Sequence, residues 1–388
     1  MNEKKLKICH IITRMIVGGA QENTFLSCLG QLEAGHDVTL ITGHSPGPEG
    51  ELLARWHHPN LKVQINNYLV RKINPIKDFL AYTSLKKYLK REKFDVVHTH
   101  SSKAGIIGRA AAWQSHVPFV CHTVHGQAFH PFEKGLKNFI YIAAEKFAAK
   151  RCHKIYAVAN AMINQCVEAK VAPRKKYSVV YSGMDIKDFI NAKQDLNLRA
   201  QHNIPEEGIV IGAIARLFEL KGYEYFIPMA IELLKENDNL YFLIIGDGNM
   251  KEKIVEQIKA ANCEKHFIFT NLIAPEEVHK YVGIMDILVH LSLREGLPRA
   301  AVQALANAKP VVGFHLDGTP EVVINDVSGY TVEAKDTAAV IKVVKKLVDN
   351  SNLCAKLGKN GQNIVKDKFS KEFMVKTLLE EYHKNLGY

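Results

Sequence analysis

The stretch ILVHLSLREGLPRAAVQAL, residues 287–305, combines an apolar run, a short polar loop and a helical pattern. The run 287–293 is mostly apolar, which is typical of a strand buried on both faces of a parallel sheet. The loop REGLP follows, and Pro298 stands near the start of the next helix, where the missing N–H of proline costs nothing. The stretch therefore predicts one strand–loop–helix unit of a parallel sheet.

The same alternation of short apolar runs and longer amphipathic patterns extends along the chain. Predicted strands are 6–12, 37–42, 62–65, 95–100, 118–124, 154–159 and 178–181 in the first half, and 209–215, 241–246, 266–269, 287–291 and 310–314 in the second. Predicted helices are 20–34, 75–92, 103–115, 134–151, 160–170, 221–236, 249–261, 275–283, 298–307, 336–349, 351–366 and 371–386. Pro228 lies inside one of these helices and predicts a kink or an interruption there.

Two series of this kind predict an α/β chain with two doubly wound Rossmann-like domains. The length of 388 residues also favours two domains over one core. We expect a first domain over 1–190, completed by the helix at 371–388, and a second over 191–370. The polar stretch 185–208 is the predicted linker. Because ligands bind at the carboxyl ends of parallel strands, we expect the ligand in a cleft that the two domains face.

Composition excludes several classes of protein. Hydrophobic residues make up 47% and charged residues 23%, as in globular proteins. No apolar run reaches the roughly 18 residues of a transmembrane helix, and the start MNEKKLKICHII has no signal-peptide pattern, so we expect a cytoplasmic protein. The seven cysteines are scattered without a C-x-x-C pair, which favours buried free thiols over zinc sites or disulfides.

The positive charge is concentrated in one half of the chain. Residues 1–190 hold 27 Lys+Arg and 14 Asp+Glu, a balance of +13, whereas residues 191–388 hold 24 and 26, a balance of −2. A basic half is compatible with nucleic acid, an anionic membrane, an anionic substrate or a merely solvated surface. A nucleic-acid binder would be expected to interleave aromatic residues with basic ones, and only the segment 132–154 approaches this pattern.

Glycines and histidines follow the predicted strands of the first half. Gly18 and Gly19 precede a helix, whose free N–H groups suit a phosphate, although a plain tight turn is equally compatible. Five histidines lie in two strand-end segments, 98–105 and 122–130, and a metal site is disfavoured because carboxylates and thiolates in ligand geometry are missing. Contacts to a hydroxyl-rich substrate fit better. These histidines are His98, His100, His122, His125 and His130. His98 and His122 fall inside strands and are compatible with satisfied core residues.

The strand ends of the second half carry charged residues. Arg216 and Lys221 follow one strand and suit a diphosphate, with surface salt bridging as the alternative. Gly246 makes a sharp turn, for which turn and cap roles are sufficient. Glu295 stands beside the predicted helix start at Pro298, where an acid can accept hydrogen bonds from sugar hydroxyls. Residues 313–323 repeat the strand–glycine–proline–glutamate pattern and end at Glu321.

At these motifs the chain resembles the retaining glycosyltransferase family 4, whose members have the two-Rossmann GT-B fold. The resemblance covers nearly the whole chain and is most specific over 210–332, in ARLFELKG, IIGDG, SLREGLPRAAVQALANAKPVVGFHLDGTPEVV and SGYTV. The family signature is an E-x7-E pair. Glu295 matches its first acid, but Gln303 stands where the second is expected. An amide can still bond to ribose hydroxyls, yet it loses a charge-assisted bond.

The resemblance implies a role for each matching position. Arg216 and Lys221 match the cations that hold the donor diphosphate, and His125 matches the histidine beside the transferred sugar. With Glu295 these form the expected catalytic set. Expected donor-binding residues are Gly18, Gly19, Gly246, Gly296, Leu297, Pro298, Gln303 and Glu321. Expected acceptor-binding residues are Arg14, His100, Ser101 and Lys103.

The implied activity is retaining transfer of a hexose-type sugar from a nucleotide-diphosphate sugar, namely a UDP-sugar, to an acceptor hydroxyl. The implied acceptor is a lipid-linked glycan of cell-surface polysaccharide or lipopolysaccharide synthesis. No cofactor and no metal are expected, because the chain has no D-x-D pair and two cations can replace a metal ion. Nucleic acid is not an expected partner. The basic, apolar segment 132–154 predicts peripheral attachment to an anionic membrane, with burial of its apolar face as the alternative.

Two other functions remain open from the sequence. A nucleotide-sugar 2-epimerase also uses two such domains, although the E-G-L-P loop and the R-x4-K spacing fit a transferase better. A non-catalytic nucleotide-sugar-binding partner is the other alternative, with Gln303 marking lost activity. A dinucleotide-dependent dehydrogenase is disfavoured because neither domain has the G-x-G-x-x-G pattern with an acid about 20 residues on.

Overall fold

The computed structural model describes residues 4–45, 52–130 and 135–388. It divides into two compact units, Met1–Met184 with Lys371–Tyr388 as unit 1, and Asp185–Ser370 as unit 2. The expected boundary at residue 190 therefore differs from the observed one, because residues 185–190 belong to unit 2. Part of the predicted helix 134–151 and of the basic segment 132–154 lies outside the described residues, namely 132–134.

Unit 1 is built on a seven-stranded sheet in the order β3-β2-β1-β4-β5-β6-β7. Its strands are β1 (Lys7–Ile12), β2 (Asp37–Thr42), β3 (Lys62–Ile65), β4 (Val96–His100), β5 (Phe119–Val124), β6 (Lys154–Ala157) and β7 (Tyr177–Val179). Every neighbouring pair is parallel. The strand order reverses between β1 and β4, and ligands bind beside the carboxyl ends of the strands at such a switch point.

Helices cover this sheet and bury its apolar strands. They are α1 (Gly19–Glu33), α2 (Leu52–Arg55), α3 (Pro75–Glu92), α4 (Ser102–Gln114), α5 (Leu136–Ala149), α6 (Asn160–Glu168) and α16 (Lys371–Leu386). The last helix packs against α1. At this crossing a Cβ on Gly30 would lie 2.4 Å from Cγ2 of Val375, so the absence of a side chain lets the two helices approach. The terminal helix is therefore part of the core of unit 1.

Unit 2 repeats the design with a six-stranded parallel sheet in the order β10-β9-β8-β11-β12-β13. Its strands are β8 (Ile209–Ile214), β9 (Leu240–Ile245), β10 (Phe267–Asn271), β11 (Ile287–His290), β12 (Val311–Phe314) and β13 (Gly329–Val332). The order reverses between β8 and β11. The edge strand β13 was not among the predicted strands, because its four residues contain a glycine and a threonine and form no extended apolar run.

Most helices of unit 2 lie where they were predicted, but the helices Lys187–Asn191 and Leu196–Gln201 were not predicted. They are α7 (Lys187–Asn191), α8 (Leu196–Gln201), α9 (Tyr223–Leu234), α10 (Lys251–Ala260), α11 (Val278–Gly283), α12 (Arg299–Ala306), α13 (Thr319–Val322), α14 (Thr337–Val348) and α15 (Ser351–Lys368). The interruption expected at Pro228 is wrong, since α9 continues through this residue. Pro228 lies on the exposed face of the helix, where its ring meets solvent.

The polar stretch 185–208 is not an unstructured linker. It forms α7 and α8, and both helices are anchored to unit 2. Phe189 and Arg199 are buried. The side-chain amide of Asn307 donates to the backbone oxygens of Phe189 and Ala192, each at 2.7 Å, and Arg199 donates to the oxygen of Pro205 at 3.1 Å. The stretch is polar by composition, but a few of its side chains are part of the core.

Candidate functional site

The predicted site residues lie at or beside the switch point of each unit. In unit 1 the ends of β1 and β4 carry Arg14, His100 and Ser101. In unit 2 the ends of β8 and β11 carry Arg216 and Glu295. Strands that are distant along the chain are neighbours in the sheet, so parallel pairing brings these segments together. Each switch point is described by itself below.

In unit 2, Lys221 and Glu295 form an ion pair. Lys221 Nζ donates to Glu295 Oε1 at 2.7 Å, and the two side chains are 25% and 16% exposed. His290 at the end of β11 places its Nε2 atom 3.6 Å from the same carboxylate oxygen. A cation, a carboxylate and a buried imidazole therefore meet at the carboxyl ends of two neighbouring strands.

The Glu295 carboxylate stays ionised in this setting. Burial acts to raise its pKa, but the nearby His290 ring and the positive charge of Lys221 act more strongly in the other direction. Together they lower the pKa to about 2. An acid with this pKa is not a proton donor at neutral pH. It is a permanent hydrogen-bond acceptor, as recognition of sugar hydroxyls requires.

The loop that carries Glu295 is held by two neighbouring turns. The backbone N–H of Glu295 donates to Asp317 Oδ2 at 2.8 Å, which ties the loop after β11 to the loop after β12. Gly222, directly after Lys221, has φ 85°, and a Cβ there would lie 2.1 Å from the backbone oxygen of Leu291. Only glycine fits this close approach, so the β8 loop packs against the end of β11.

Arg216 differs from Lys221 in its exposure. It is exposed, and its guanidinium carbon lies 5.1 Å from the ring centre of Phe218. Gly246 supports the same loop, because a Cβ on it would lie 2.1 Å from the backbone oxygen of Ala215, and its φ of 144° suits glycine. The sharp turn predicted at Gly246 is therefore present and packs beneath the loop that carries the arginine.

The segment after Glu295 leads into α12 as expected. Pro298 is the residue before the first helical position, Arg299, and Leu297 is buried while Gly296 is half-buried. Gln303 is half-buried and is the fifth residue of α12, about one turn into the helix. Glu321 is half-buried in the short helix α13, which follows the adjacent strand β12.

In unit 1, the glycines begin a helix as predicted. Gly18 precedes α1, and Gly19 is its first residue. Both are half-buried, as is Arg14 between β1 and the helix. The start of a helix of this length presents N–H groups without partners inside the helix, which suits an anionic group. A role in binding stays a prediction for all three residues.

Ser101 is strained where β4 turns into α4. Its φ of 59° and ψ of 154° lie in a region almost confined to glycine, which costs about 1–3 kcal/mol. Its hydroxyl shares a hydrogen bond of 2.8 Å with Thr13 Oγ1, and the N–H of Ala104 donates to the same threonine oxygen at 3.2 Å. Thr13 thereby fastens the end of β1 to the β4–α4 turn.

His125 lies at the end of β5 and is half-buried. It lines a pocket in unit 1 together with Ser101, Thr123 and Gly126. Its Nε2 atom is 3.0 Å from Nδ1 of His100. A histidine that lines a pocket beside two hydroxyl side chains, and that is backed by a second imidazole, is suited to a defined hydrogen bond with a ligand.

One of the expected acceptor-binding residues needs correction, and a second is engaged within the protein. His100 is fully buried, and its ring lies between His10 and His125, so it has no exposed atom with which to touch an acceptor. Lys103 forms an ion pair with Asp78 at 2.5 Å and also donates to the backbone oxygen of Lys72. It anchors α4 to the start of α3. His100 therefore supports the site from behind, whereas an acceptor role for Lys103 stays a prediction.

The two histidines expected as possible core residues are satisfied in the core. His98 Nε2 is 2.7 Å from Thr123 Oγ1, and His122 Nδ1 is 3.0 Å from Thr99 Oγ1. Ring nitrogens of His10, His98 and His100 lie within 4.8 Å of one another, as in some metal sites. Within the described residues, however, all six of these nitrogens already have hydrogen-bond partners in the protein. A metal ion would have to replace those bonds.

Two family models match the chain, one over each switch point. The model described as Glycosyltransferase Family 4 matches residues 17–188, and the model described as Glycosyl transferases group 1 matches residues 194–364. The chain belongs to glycosyltransferase family 4. For this glycosyltransferase, the predicted family is confirmed, and the rival epimerase and binding-partner functions receive no comparable support.

Curated relatives of this glycosyltransferase align over most of its length. The UDP-Gal:alpha-D-GlcNAc-diphosphoundecaprenol alpha-1,3-galactosyltransferase of Escherichia coli is 29% identical over 373 residues, covering 93% of this chain and 94% of the relative. The capsular polysaccharide biosynthesis glycosyltransferase CapM of Staphylococcus aureus is 25% identical over 337 residues, covering 82% and 86%.

Solved structures confirm the predicted GT-B fold. HepE of Anabaena, solved in complex with UDP, has a TM-score of 0.81 at 18% identity, covering 98% of this chain and all of the HepE chain. Sucrose-phosphate synthase of Thermosynechococcus elongatus has a TM-score of 0.82 at 18% identity, covering 99% and 100%. In the part of the glycosyltransferase that the structure describes, the helices are all too short or too polar to span a bilayer.

Sequence reasoning missed three residues that shape the two switch points. His290 lies inside an apolar strand, where a histidine usually indicates only a satisfied core position. Asp317 and Thr13 act through single hydrogen bonds to segments that are remote along the chain. The position of His290 just before a predicted strand end was a signal that could have identified it. Asp317 and Thr13 had no comparable signal in the sequence.

Proposed function

We propose that this glycosyltransferase transfers a hexose-type sugar from a UDP-sugar to a hydroxyl of a lipid-linked glycan, with retention of the anomeric configuration. The observation that carries the proposal is the Lys221–Glu295 ion pair at the switch point of unit 2, with His290 beside it. The pair offers a fixed acceptor for sugar hydroxyls and a cation for phosphate in one place. An epimerase needs no acceptor, whereas the curated relatives carry transferase names.

The reaction breaks the bond between the sugar C1 and a diphosphate oxygen and forms a bond between C1 and the acceptor oxygen. The acceptor hydroxyl attacks C1 from the face that the diphosphate leaves, so retention needs no carboxylate nucleophile. The leaving diphosphate takes the acceptor proton, so no separate general base is needed. Negative charge grows on the diphosphate as the bond breaks. Arg216 is exposed and Lys221 is half-buried, and in this proposal both stabilise that charge, which is usually the largest catalytic term.

We propose UDP as the nucleotide and a divalent metal ion as unnecessary. HepE, which shares the fold, has been solved with UDP and with UDP-glucose. The two cations at the β8 loop can supply the positive charge that a metal ion supplies elsewhere. Transfer rates in excess EDTA should then equal those without it, and a rate that falls in EDTA and recovers with Mg²⁺ or Mn²⁺ would contradict this part.

A lipid diphosphate sugar is the proposed acceptor. The Escherichia coli relative is a galactosyltransferase that acts on GlcNAc-diphosphoundecaprenol, and it aligns with almost the whole chain. The half-buried pocket at His125 and the strained turn at Ser101 are the parts of unit 1 to which we assign the acceptor and the transferred sugar. Arg14 remains the proposed cation for the acceptor.

The transfer assay uses purified protein, UDP-galactose or UDP-glucose, and a GlcNAc-diphosphate lipid with a short polyprenyl chain. Mass spectrometry should find a product one hexose heavier, and NMR of the new anomeric proton should report the α configuration of the donor. Lys221→Met and Glu295→Gln should each lower kcat/KM about 100-fold or more. Lys235→Met removes an exposed ion pair with Glu232 and should leave the rate unchanged.

Three results of this assay would contradict the proposal. No new glycoside with any nucleotide sugar would remove the activity itself. A change of the donor sugar without an acceptor would indicate an epimerase. Equal rates for Lys221→Met and Lys235→Met would leave the ion pair without a catalytic role.

We also propose that unit 1 lies on an anionic membrane when it meets this acceptor. The start of α5 exposes Leu136 at 73% and Phe139 at 70%, and the start of α3 exposes Ile76 at 75% and Phe79 at 64%. The helix α4 packs against both α3 and α5. Both starts follow carboxyl ends of strands. The expected alternative, an apolar face buried in the core, does not hold for these side chains.

Basic residues accompany these exposed apolar ones. Lys137 follows Leu136, and Arg151 lies over the ring of Phe147 near the end of α5, with 3.6 Å between the guanidinium carbon and the ring centre. Apolar side chains that enter the interface and cations that meet anionic headgroups act together in such helices. This composition supports reversible attachment.

Flotation with vesicles of phosphatidylglycerol and phosphatidylcholine tests the membrane proposal. Wild-type protein should float, and the double variant Leu136→Ser with Phe139→Ser should remain at the bottom. Leu272→Ser is the matched control, since Leu272 is 71% exposed but belongs to unit 2. Equal flotation of the double variant and the wild type would contradict the assignment of this surface.

A further inference from the structure

A row of hydrogen-bonded side chains leads from the core of unit 1 to His125. His10 Nε2 is 2.8 Å from Gln31 Oε1, and His10 Nδ1 is 2.9 Å from His100 Nε2. His100 Nδ1 is in turn 3.0 Å from His125 Nε2. Gln31, His10 and His100 are fully buried, whereas His125 is half-buried at the pocket. The row therefore begins at a fully buried side chain, Gln31, and ends at the pocket proposed to hold the substrate.

The two fully buried rings in this row, His10 and His100, are neutral. Burial lowers the pKa of His10 to about 4, although its bond with Gln31 acts in the other direction. Burial, followed by the neighbouring histidines His98 and His10, also lowers the pKa of His100. A neutral imidazole has one N–H and one acceptor nitrogen. In a row of such rings, the role of each nitrogen fixes the role of the next.

The Gln31 amide decides the direction of the row. Its oxygen faces His10, so His10 Nε2 donates and His10 Nδ1 accepts. His100 Nε2 must then donate to His10, and His100 Nδ1 must accept from Nε2–H of His125. The amide nitrogen of Gln31 donates to the Tyr382 hydroxyl at 3.5 Å, and that hydroxyl also shares a hydrogen bond with Nδ1 of His98. Turning the amide over would reverse every bond from Gln31 to His125.

We propose that Gln31 is a positioning residue that holds His125 in its Nε2–H tautomer through His10 and His100. The lone pair of His125 is then on Nδ1, so the ring can accept a hydrogen bond from a hydroxyl group of the bound sugar. This role rests on the proposed function, in which His125 contacts the transferred sugar. In the other tautomer Nδ1 carries the hydrogen, so the ring could only donate to that hydroxyl and could not accept from it.

Long-range proton–nitrogen NMR of the full chain, with ¹⁵N in histidine only, reads the tautomers directly. His125→Gln identifies the His125 signals. In the wild type we expect a protonated Nε2 and an unprotonated Nδ1 for His125. Gln31→Met keeps the volume but removes the polar amide, and it should turn His125 into a mixture of tautomers. Ser27→Ala is the matched control, since Ser27 is a buried polar residue one turn earlier on α1 that bonds to the backbone oxygen of Asn23.

The kinetic readout is kcat/KM for sugar transfer. Gln31→Met should lower it about fivefold, as expected for the loss of one neutral hydrogen bond to substrate, while Ser27→Ala should not. If Gln31→Met does not fold, Tyr382→Phe serves instead, because it removes the hydroxyl that accepts from the Gln31 amide. It should also mix the His125 tautomers.

Several outcomes would overturn the proposal. One is a wild-type His125 protonated on Nδ1, and another is a tautomer that stays unchanged in both Gln31→Met and Tyr382→Phe. Spectra that change when a chelator is added would show that the histidines hold a metal ion instead. The NMR result does not depend on activity. A protein that transfers no sugar would therefore contradict the proposed function, while the tautomer of His125 would still test the positioning role of Gln31.

Discussion

At the scale of single residues, neighbours determine what Glu295 and Gln303 can do. Glu295 is ionised at any pH above about 2 because Lys221 and His290 outweigh the effect of burial. Gln303 on α12 carries no charge, and it stands where the family pattern has a second acid. Glu295 is thus a charged hydrogen-bond acceptor and Gln303 a neutral one. Only the ionisation of Glu295 depends on a cation partner.

Replacing the neutral member should strengthen nucleotide binding. A carboxylate in Gln303→Glu would accept charge-assisted hydrogen bonds from ribose hydroxyls, which are worth about 1 kcal/mol more than neutral ones. We expect the Kd for UDP, measured by calorimetry, to fall about fivefold. Gln303→Leu is the control and should raise the Kd. If Gln303→Glu binds UDP more weakly than the wild type does, the assignment of Gln303 to the ribose contacts is wrong.

Residue types and spacings predicted which segments meet at the site, but not the bonds inside it. Arg216, Lys221 and Glu295 follow strand ends, and parallel sheets place strand ends along one edge. The burial of His100 and the engagement of Lys103 with Asp78 depend on side-chain directions in three dimensions. No pattern in a linear sequence carries that information, so both were assigned to the acceptor.

At the scale of elements, the terminal helix α16 belongs to the fold of unit 1 through its crossing with α1. Gly30 and Val375 meet there, and the Tyr382 hydroxyl reaches both His98 and Gln31. Long apolar or amphipathic runs such as β1 and α16 were predictable because burial requires them. The strand β13 and the helices α7 and α8 are short, and tertiary contacts stabilise them more than their own composition does.

Adding one methyl group at the α1–α16 crossing should weaken it. Gly30→Ala gains about 1 kcal/mol in helix propensity, but the new Cβ would lie 2.4 Å from Val375 Cγ2. Overpacking of this kind costs about 1–3 kcal/mol, so we expect a net loss of up to about 2 kcal/mol in denaturant unfolding of the full chain. Val375→Ala should cost less in the Gly30→Ala background than in the wild type. Equal costs in the two backgrounds would show that the helices simply separate without strain.

At the scale of the whole molecule, the two units differ in their buried ionisable groups. Unit 1 buries His10, His98, His100 and His122, and burial lowers the pKa of each. Unit 2 has the opposite kind of group in Glu295. Its depressed pKa contributes stability above the unfolded value near 4.5, and this is lost only as the pH falls through about 2. Acid should therefore act first on unit 1.

The histidines set the window of that acid unfolding. An unfolded histidine takes up a proton near pH 6.5, whereas folded His10 does so only near pH 4. The unfolded chain thus binds more protons between these values, and unit 1 loses about 1.4 kcal/mol per pH unit for each such histidine as the pH falls. Trp56 and Trp113 are the two tryptophans of the chain and both lie in unit 1, so their fluorescence follows that unit alone. We expect the fluorescence to change between pH 6.5 and 4 while part of the far-ultraviolet circular dichroism persists. His122→Asn should flatten the pH dependence of the stability of unit 1, whereas His57→Gln, at an exposed position, should not. Native fluorescence down to pH 4 would contradict the link between the buried histidines and acid stability.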